Sequence, residues 1–284
     1  MVSVKKELGF APTSMWSLKK NPLWQKLIGD RDYEFRYQDS ESKIPFSEFN
    51  TAVADGIIKI WSKEGDMILN PFMSRGHFLF IGRELGRNTQ GYEIVKEYCD
   101  AVMARKIEIE NDPKWNTECS CDIYNDDARL LKFTEKESVD MIATSPPFWK
   151  REKYRSCEGQ MNDIQTYPKF MEELGKVWKR CYKVLKPGKF IIIESNFFRH
   201  NGEFVPFMDD IKRQMVRLGF IQIDEIIEHN WSYTARGMGM FLKKGFTPKS
   251  HAYLNVFQKP PRMDNDTAVI LDERPKRQSF RDFL

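Results

Sequence analysis

Apolar residues recur along this chain in two alternating rhythms, short runs of strand length and longer stretches at helical spacing. Residues 139–143 (VDMIA) and 189–194 (KFIIIE) read as buried strands, and so do 66–70 (DMILN), 90–95 (QGYEIV), 120–124, 220–228 and 252–258. Between them fall stretches with one apolar face. In 50–61 that face is Ala52, Ile57, Ile58 and Trp61, with Asn50 or Thr51 as the cap. In 167–185 it is Phe170, Leu174, Val177, Trp178 and Tyr182. Residues 76–87, 96–107 and 207–218 complete the predicted helices, the last stopped by Gly219. Strands and helices in alternation predict an α/β fold with a doubly wound, mostly parallel sheet. In such sheets ligands sit at the carboxyl ends of the strands. Residues 45–259 form the predicted main domain. Residues 1–44 lack this rhythm and are expected to be an N-terminal extension or small lobe, while 260–284 form a tail carrying the basic run Arg274-Pro275-Lys276-Arg277.

Composition narrows the class. Of 284 residues, 41% are hydrophobic and 13% aromatic, enough for a large core and too many for a disordered chain. Lys and Arg exceed Asp and Glu by 45 to 41, so nucleic acid is permitted as a partner without being required. The first residues have no signal-peptide pattern and no stretch has membrane-spanning length and apolarity, so a cytoplasmic, non-secreted protein is expected. Five scattered cysteines and four histidines show no zinc spacing, and no metal site is expected.

Two predicted strand ends carry candidate chemistry. Residues 142–149 read IATSPPFW. Pro146 and Pro147 lack a backbone N–H and fix their φ, so the strand must end in a stiff loop flanked by Ser145 and by Phe148 and Trp149. Residues 66–78 (DMILNPFMSRGHF) read as strand, tight turn and helix start, with Gly76 opening the backbone and Phe72 able to cover an apolar group. At the next strand end stands Glu93, about 20 residues beyond a glycine turn, a position that suits ribose hydroxyls. One strand further, Asp127 is placed to accept from an adenine amino group. Each feature alone is an ordinary turn or solvated strand end. In order on successive strands they describe an adenosyl site, and no G-x-x-x-x-G-K-[ST] loop competes with it.

These residues resemble the DNA amino-methyltransferases, which modify cytosine N4 or adenine N6 with S-adenosylmethionine. The resemblance covers roughly residues 45–259. Ser145, Pro146, Pro147 and Phe148 match the family's D/N/S-P-P-Y/F/W tetrad. Pro71, Phe72 and Gly76 match its D-P-F-x-G-x-G cofactor loop, with Asn70 in place of the acid and Ser74 in place of the first glycine. The segment 45–58, with Phe46 and Ser47, resembles the stretch contacting the methionine end of the cofactor. Gly91-Tyr92-Glu93 and Asp127-Ala128-Arg129 match the ribose and adenine acids, and residues 182–189 (YKVLKPGK) the family's helix–turn–strand signature. Residues 251–259 (HAYLNVFQK) resemble its H-E-Y-x-x-x-F-x-K strand, with Ala252 in place of the acid.

The resemblance implies a Rossmann-like methyltransferase fold and S-adenosylmethionine as cofactor, held by Phe46, Ser47, Asn70, Pro71, Phe72, Ser74, Gly76, Glu93, Asp127 and Thr144. It implies Ser145, Pro146, Pro147 and Phe148 as the catalytic clamp on a flipped base. A serine at the first position is the commoner form among cytosine enzymes, so N4-methylcytosine is expected, with N6-methyladenine as the rival. An RNA base methyltransferase and a non-catalytic nucleic-acid binder are the other readings. Double-stranded DNA is the expected partner, single-stranded nucleic acid the alternative. A specificity or nuclease partner of a restriction-modification system is a further expectation. Basic and aromatic residues in 149–165 and 229–250 are the expected DNA-contacting loops. In this motif order a recognition region would follow the last strand, where residues 260–284 leave room for no full domain.

Overall fold

In the computed structural model, residues 13–18, 22–28, 49–115, 118–151, 154–229 and 250–262 are described. The apolar runs form strands whose alternate side chains face opposite ways, and this builds two cores, one on each side of a sheet. In β2 (Met67–Asn70), Ile68 enters one core and Leu69 the other. In β5 (Val139–Thr144), Met141 and Ala143 face one side and Val139 and Ile142 the other. In β6 (Leu185–Ser195), Ile192 opposes Ile191 and Ile193. Such strands must be covered on both faces.

The first core is closed by α1 (Pro22–Ile28), α2 (Thr51–Trp61), α3 (His77–Glu84) and α4 (Lys96–Asn111), which supply Leu27, Ile57, Ile58, Leu79, Ile81 and Val102. The second is closed by α5 (Tyr167–Val184) and α6 (Phe207–Arg217), which supply Phe170, Leu174, Trp178, Phe207 and Ile211. Asn50 caps α2, its side chain accepting from the Ala52 N–H. The remaining strands are β1 (Met15–Trp16), β3 (Asn88–Tyr92), β4 (Cys121–Tyr124), β7 (Phe198–His200), β8 (Glu203–Val205), β9 (Ile221–His229) and β10 (His251–Gln258).

The large sheet runs β1-β9-β10-β6-β5-β2-β3-β4. All its pairings are parallel except those of β10, which runs antiparallel to both β6 and β9. This is the mostly parallel, doubly wound sheet that the alternation predicts. The chain reverses its direction of winding between β2 and β5, and the carboxyl ends of these two strands flank the crevice that such a reversal leaves. The described parts of residues 1–44 join this body, since β1 pairs with β9 and Trp16 is buried and stacked on Trp61 at 6.2 Å. The hairpin β7–β8 and the strand β1 are absent from the predicted set. Strand β3 lies two residues earlier than predicted, which leaves Glu93 just past its end. No helix among the described residues is long and apolar enough to cross a membrane.

Gly91 lets the turn after β2 lie against β3. A Cβ there would stand 2.5 Å from Leu79 Cδ1 and 2.7 Å from Met73 Sδ. The Met73 N–H donates to the Tyr92 carbonyl at 2.9 Å, so the turn cannot retreat without losing that bond. Gly91→Ala is therefore expected to cost about 1–3 kcal/mol by overpacking. Urea unfolding checks this, and an unchanged midpoint would show that the turn gives way freely.

Candidate active site

An open cleft runs across the carboxyl ends of β4, β3, β2 and β5. Its lining includes Asn70, Pro71, Phe72, Ser74, Glu93, Asp127 and all of Ser145, Pro146, Pro147 and Phe148. Residues scattered over almost eighty positions thus meet in one place.

The turn after β2 is held by one side chain. Asn70 Oδ1 accepts from the Phe72 N–H at 3.1 Å and from the Thr144 hydroxyl at 2.8 Å. An oxygen acceptor is what this position requires, and asparagine supplies it as well as an aspartate would. Ser74 has φ 47°, in the left-handed region where glycine is at ease, so the turn keeps the backbone path of a glycine loop with a serine in it. Its N–H is one of three, with those of Ile94 and Val95, that donate to the Glu93 carboxylate. The Val95 bond measures 2.9 Å.

Glu93 is a strongly perturbed acid of the cleft. Burial pushes its carboxyl up to about 7, against those three donors, which favour the ionised form. Asp127 is prepared differently. Its two oxygens accept from Arg129 Nε at 3.0 and 2.8 Å, and Oδ2 also accepts from Nη2 at 2.6 Å. The same guanidinium donates to the Gly159 carbonyl and to Glu173 on α5, both at 2.8 Å. Arg129 therefore ties two lining residues of the cleft, Asp127 and Gly159, to α5. Gly159 permits this approach: it has φ 82°, and a Cβ there would stand 2.9 Å from Arg129 Nη2.

The clamp leaves β5 as the prolines dictate. Pro146 is buried and Ser145, Pro147 and Phe148 are half-buried at the cleft wall. The Phe148 ring packs against Phe207 at 5.4 Å and Phe198 at 5.9 Å, with the Arg151 guanidinium 5.3 Å from its centre. Glu194, at the end of β6, faces the cleft beside the clamp.

Two expected site residues do not line the cleft, and two lie outside the described residues. Thr144 is buried beneath the cleft, where its hydroxyl is spent on Asn70. Gly76 caps α3 with φ 75° and shapes the turn without lining the cleft. Phe46 and Ser47 lie outside the described residues, as does 230–249 of the expected DNA loops. Trp149 is a correction as well. It is buried, and its indole donates to the Ile164 carbonyl at 2.9 Å, so it anchors the loop instead of meeting a partner. Arg155 turns toward α4, pairing with Glu97 at 2.8 Å, and Tyr154 lines the cleft. Phe49, His77, Tyr98 and Glu194 line the cleft without having been singled out. A charged residue closing an apolar strand at its carboxyl end was the available signal for Glu194. The others carry no local mark.

Comparison with known proteins gives a consistent picture. A family model for DNA methylases, of the N6/N4 methyltransferase type, matches residues 5–104 and 139–282. The Type II methyltransferase M.MjaI of Methanocaldococcus jannaschii is 26% identical over 156 residues, which are 46% of this chain and 50% of that protein. The chain thus spans about half the length of this curated relative. A protein of Thermus thermophilus described as a DNA modification methylase, solved with S-adenosyl-L-methionine, is 23% identical over 53% of this chain and 56% of its own, with a TM-score of 0.35. A SAM-dependent methyltransferase of Methanosarcina mazei is 14% identical over 72% and 98%, with a TM-score of 0.49.

The double role of Asn70 sets an expectation. Asn70→Ala strands the buried Thr144 hydroxyl and the Phe72 N–H, at about 1–3 kcal/mol. Asn70→Asp keeps both bonds and recovers most of that loss. Thermal unfolding of the two variants checks the pair, and equal midpoints would show that the side chain holds neither loop.

Proposed function

The chain belongs to the N6/N4 methyltransferase family of DNA methylases, and from that membership we propose that it transfers a methyl group from S-adenosylmethionine to N4 of a cytosine drawn out of duplex DNA. The observation that carries this reading is the shared cleft: the Ser145–Phe148 clamp opens into the same space as Glu93 and Asp127.

The cleft suits the cofactor on its own chemistry. One carboxylate stands at the end of β3 and one past the end of β4, and Phe49, Phe72 and Ile94 offer an apolar wall between turns. Glu93 would take the ribose hydroxyls, Asp127 the adenine amino group, and the Asn70–Ser74 turn the sulfonium end. When bound, S-adenosylmethionine supplies the electrophilic methyl. The protein's own part is positioning. The amino group of a nucleobase is a weak nucleophile because its lone pair is delocalised into the ring. The Ser145 hydroxyl and the Pro146 carbonyl accept from its two N–H bonds and turn that lone pair toward the cofactor side. The prolines keep the carbonyl aimed, and Phe148 stacks on the extruded base. Serine in place of aspartate at the head of the clamp is the basis for cytosine over adenine. The five cysteines are free thiols, which fits a cytosolic setting.

Nucleoside mass spectrometry of duplex DNA incubated with the protein and S-adenosylmethionine tests the proposal. 4-Methylcytosine is expected. 6-Methyladenine would move the target base and leave the clamp in place, while DNA without any methylated nucleoside would overturn the reading.

Two variants test the roles. Ser145→Ala should lower turnover by at least tenfold, because a directing acceptor is lost, with cofactor affinity little changed. Unchanged turnover would remove Ser145 from the chemistry. The Glu93 carboxyl gives a pH signature. Ribose hydroxyls donate to the ionised form, so cofactor binding favours it. The dissociation constant should be flat above pH 7 and rise by up to about tenfold per unit below it. Glu93→Gln should bind weakly without that rise. Calorimetry between pH 5.5 and 8 checks both, and a constant affinity in the parent protein would remove Glu93 from the ribose site.

A further inference from the structure

Strand order divides the cleft. The Pro71–Ser74 turn, Glu93 and Asp127 sit at the ends of β2, β3 and β4, on one side of the clamp at the end of β5. With the cofactor over that side, an acceptor meeting Ser145 comes from the other, over β6 and the segment that follows it. That segment is the β7–β8 hairpin.

The hairpin is short and stiff. Phe198 pairs with Val205, Arg199 with Phe204 and His200 with Glu203. Its turn is Asn201 and Gly202, with φ 50° and 88°, both left-handed, the two-residue turn whose twist matches the strands it joins. One face of it packs on the clamp and its continuation: the Phe198 ring lies 5.9 Å from Phe148 and 5.8 Å from Phe207, and His200, beside the turn, lies 4.6 Å from Trp149. The alternate side chains lie on the opposite, exposed face, with the Arg199 guanidinium 5.9 Å from the centre of the Phe204 ring.

The clamp's own continuation carries two more cations. Lys150 is held in the left-handed region, φ 54°, by its N–H donating to Asn162 at 2.9 Å. Arg151 is exposed and covers Phe148. Acids nearby on α6 are engaged: Asp209 with Lys212, and Asp210 with Arg213 and the Tyr167 hydroxyl. Glu203 is the exposed acid of the hairpin itself.

We propose that Lys150 and Arg151 form a cationic rim that grips the phosphates on either side of the target nucleotide, with the β7–β8 hairpin, packed on Phe148 and Trp149, as its support. This rests on the DNA methyltransferase reading. A planar guanidinium on an aromatic face occupies the place a base would take. When Arg151 moves from the ring to a phosphate it exposes Phe148, so backbone capture and readiness of the base seat become one event. Phosphate contacts position the strand and carry no sequence information, so the rim serves every target alike.

Duplex binding measured by fluorescence anisotropy across a salt series, with S-adenosylhomocysteine present, tests this. Loss of one phosphate contact lowers the slope of log affinity against log salt by about 0.9. The variant carrying both Lys150→Ala and Arg151→Ala should bind duplex DNA roughly tenfold or more weakly with a slope reduced by about 1.8. Its cofactor affinity should stay unchanged, and the charge-keeping pair Lys150→Arg with Arg151→Lys should retain the slope. A wild-type slope in the double alanine variant would overturn the rim, and so would a fall in cofactor affinity that tracks the fall in DNA affinity. Tighter binding of single-stranded RNA than of duplex DNA by the parent protein would overturn its assignment to duplex. Parent protein with no affinity for duplex would fail the underlying reading before any variant is made.

Discussion

The two halves of the cleft are joined through one oxygen. Asn70 Oδ1 receives the Phe72 N–H from its own turn and the Thr144 hydroxyl from the last residue of β5, one step before Ser145. Strands β2 and β5 are neighbours at the point where the winding reverses, so their carboxyl ends diverge and leave the crevice. Diverging loops need a cross-tie if their spacing is to be fixed. Asn70 is only 3% exposed, and the low dielectric there strengthens both bonds and makes an unpaired group costly. The separation between the cofactor turn and the clamp is thereby set by a short buried bond, more rigidly than long side chains at the surface could set it.

Around that tie the two acids of the cleft, Glu93 and Asp127, are prepared in opposite ways. Asp127 is locked by a guanidinium whose remaining donors hold Gly159 and Glu173, so its orientation is fixed before any ligand arrives. Among the described residues Glu93 has no cation partner of this kind. Its elevated titration has a cost, and the sign is definite. A carboxyl with a folded value near 7 and an unfolded value near 4.5 withdraws stability as pH rises through that interval. A residue kept solely for stability would not be an acid in that place. A carboxylate poised there, with backbone donors at its back, is suited to accepting hydroxyl hydrogens from a ligand that replaces lost solvent.

Much of this was legible before any coordinates. Continuous apolar runs such as KFIIIE state that a strand is covered on both faces, and the double proline states where β5 must stop. Glu93 and Asp127 were readable because successive strands of a parallel sheet end at the same edge. Thr144 and Gly76 were misread because sequence shows adjacency to a site and not the direction of a side chain: β5 alternates, and Thr144 points down into the core while Ser145 reaches the cleft wall. Trp149 was misread for the same reason. The hairpin escaped because three-residue strands are too short to display a period, although Asn201-Gly202 is itself a turn signal. Arg129 was invisible as a cross-tie, since its three partners lie 2, 30 and 44 positions away.

The same geometry bears on how one clamp could serve different bases. Both candidate amino groups offer two N–H bonds, and a hydroxyl and a carbonyl accept them equally well, so the tetrad alone discriminates weakly. Discrimination must come from groups meeting the far edge of the base, where a pyrimidine and a purine differ in size and in donor pattern. On the proposed reading, with the amino group held at Ser145 and the ring over Phe148, that edge would extend away from the cofactor half, toward β6 and its continuation. Glu194 stands there at the end of β6 within the cleft, and Phe198 and Phe207 pack behind Phe148. On that reading this side of the cleft would add to whatever preference the serine brings, while the clamp would supply the chemistry common to both bases.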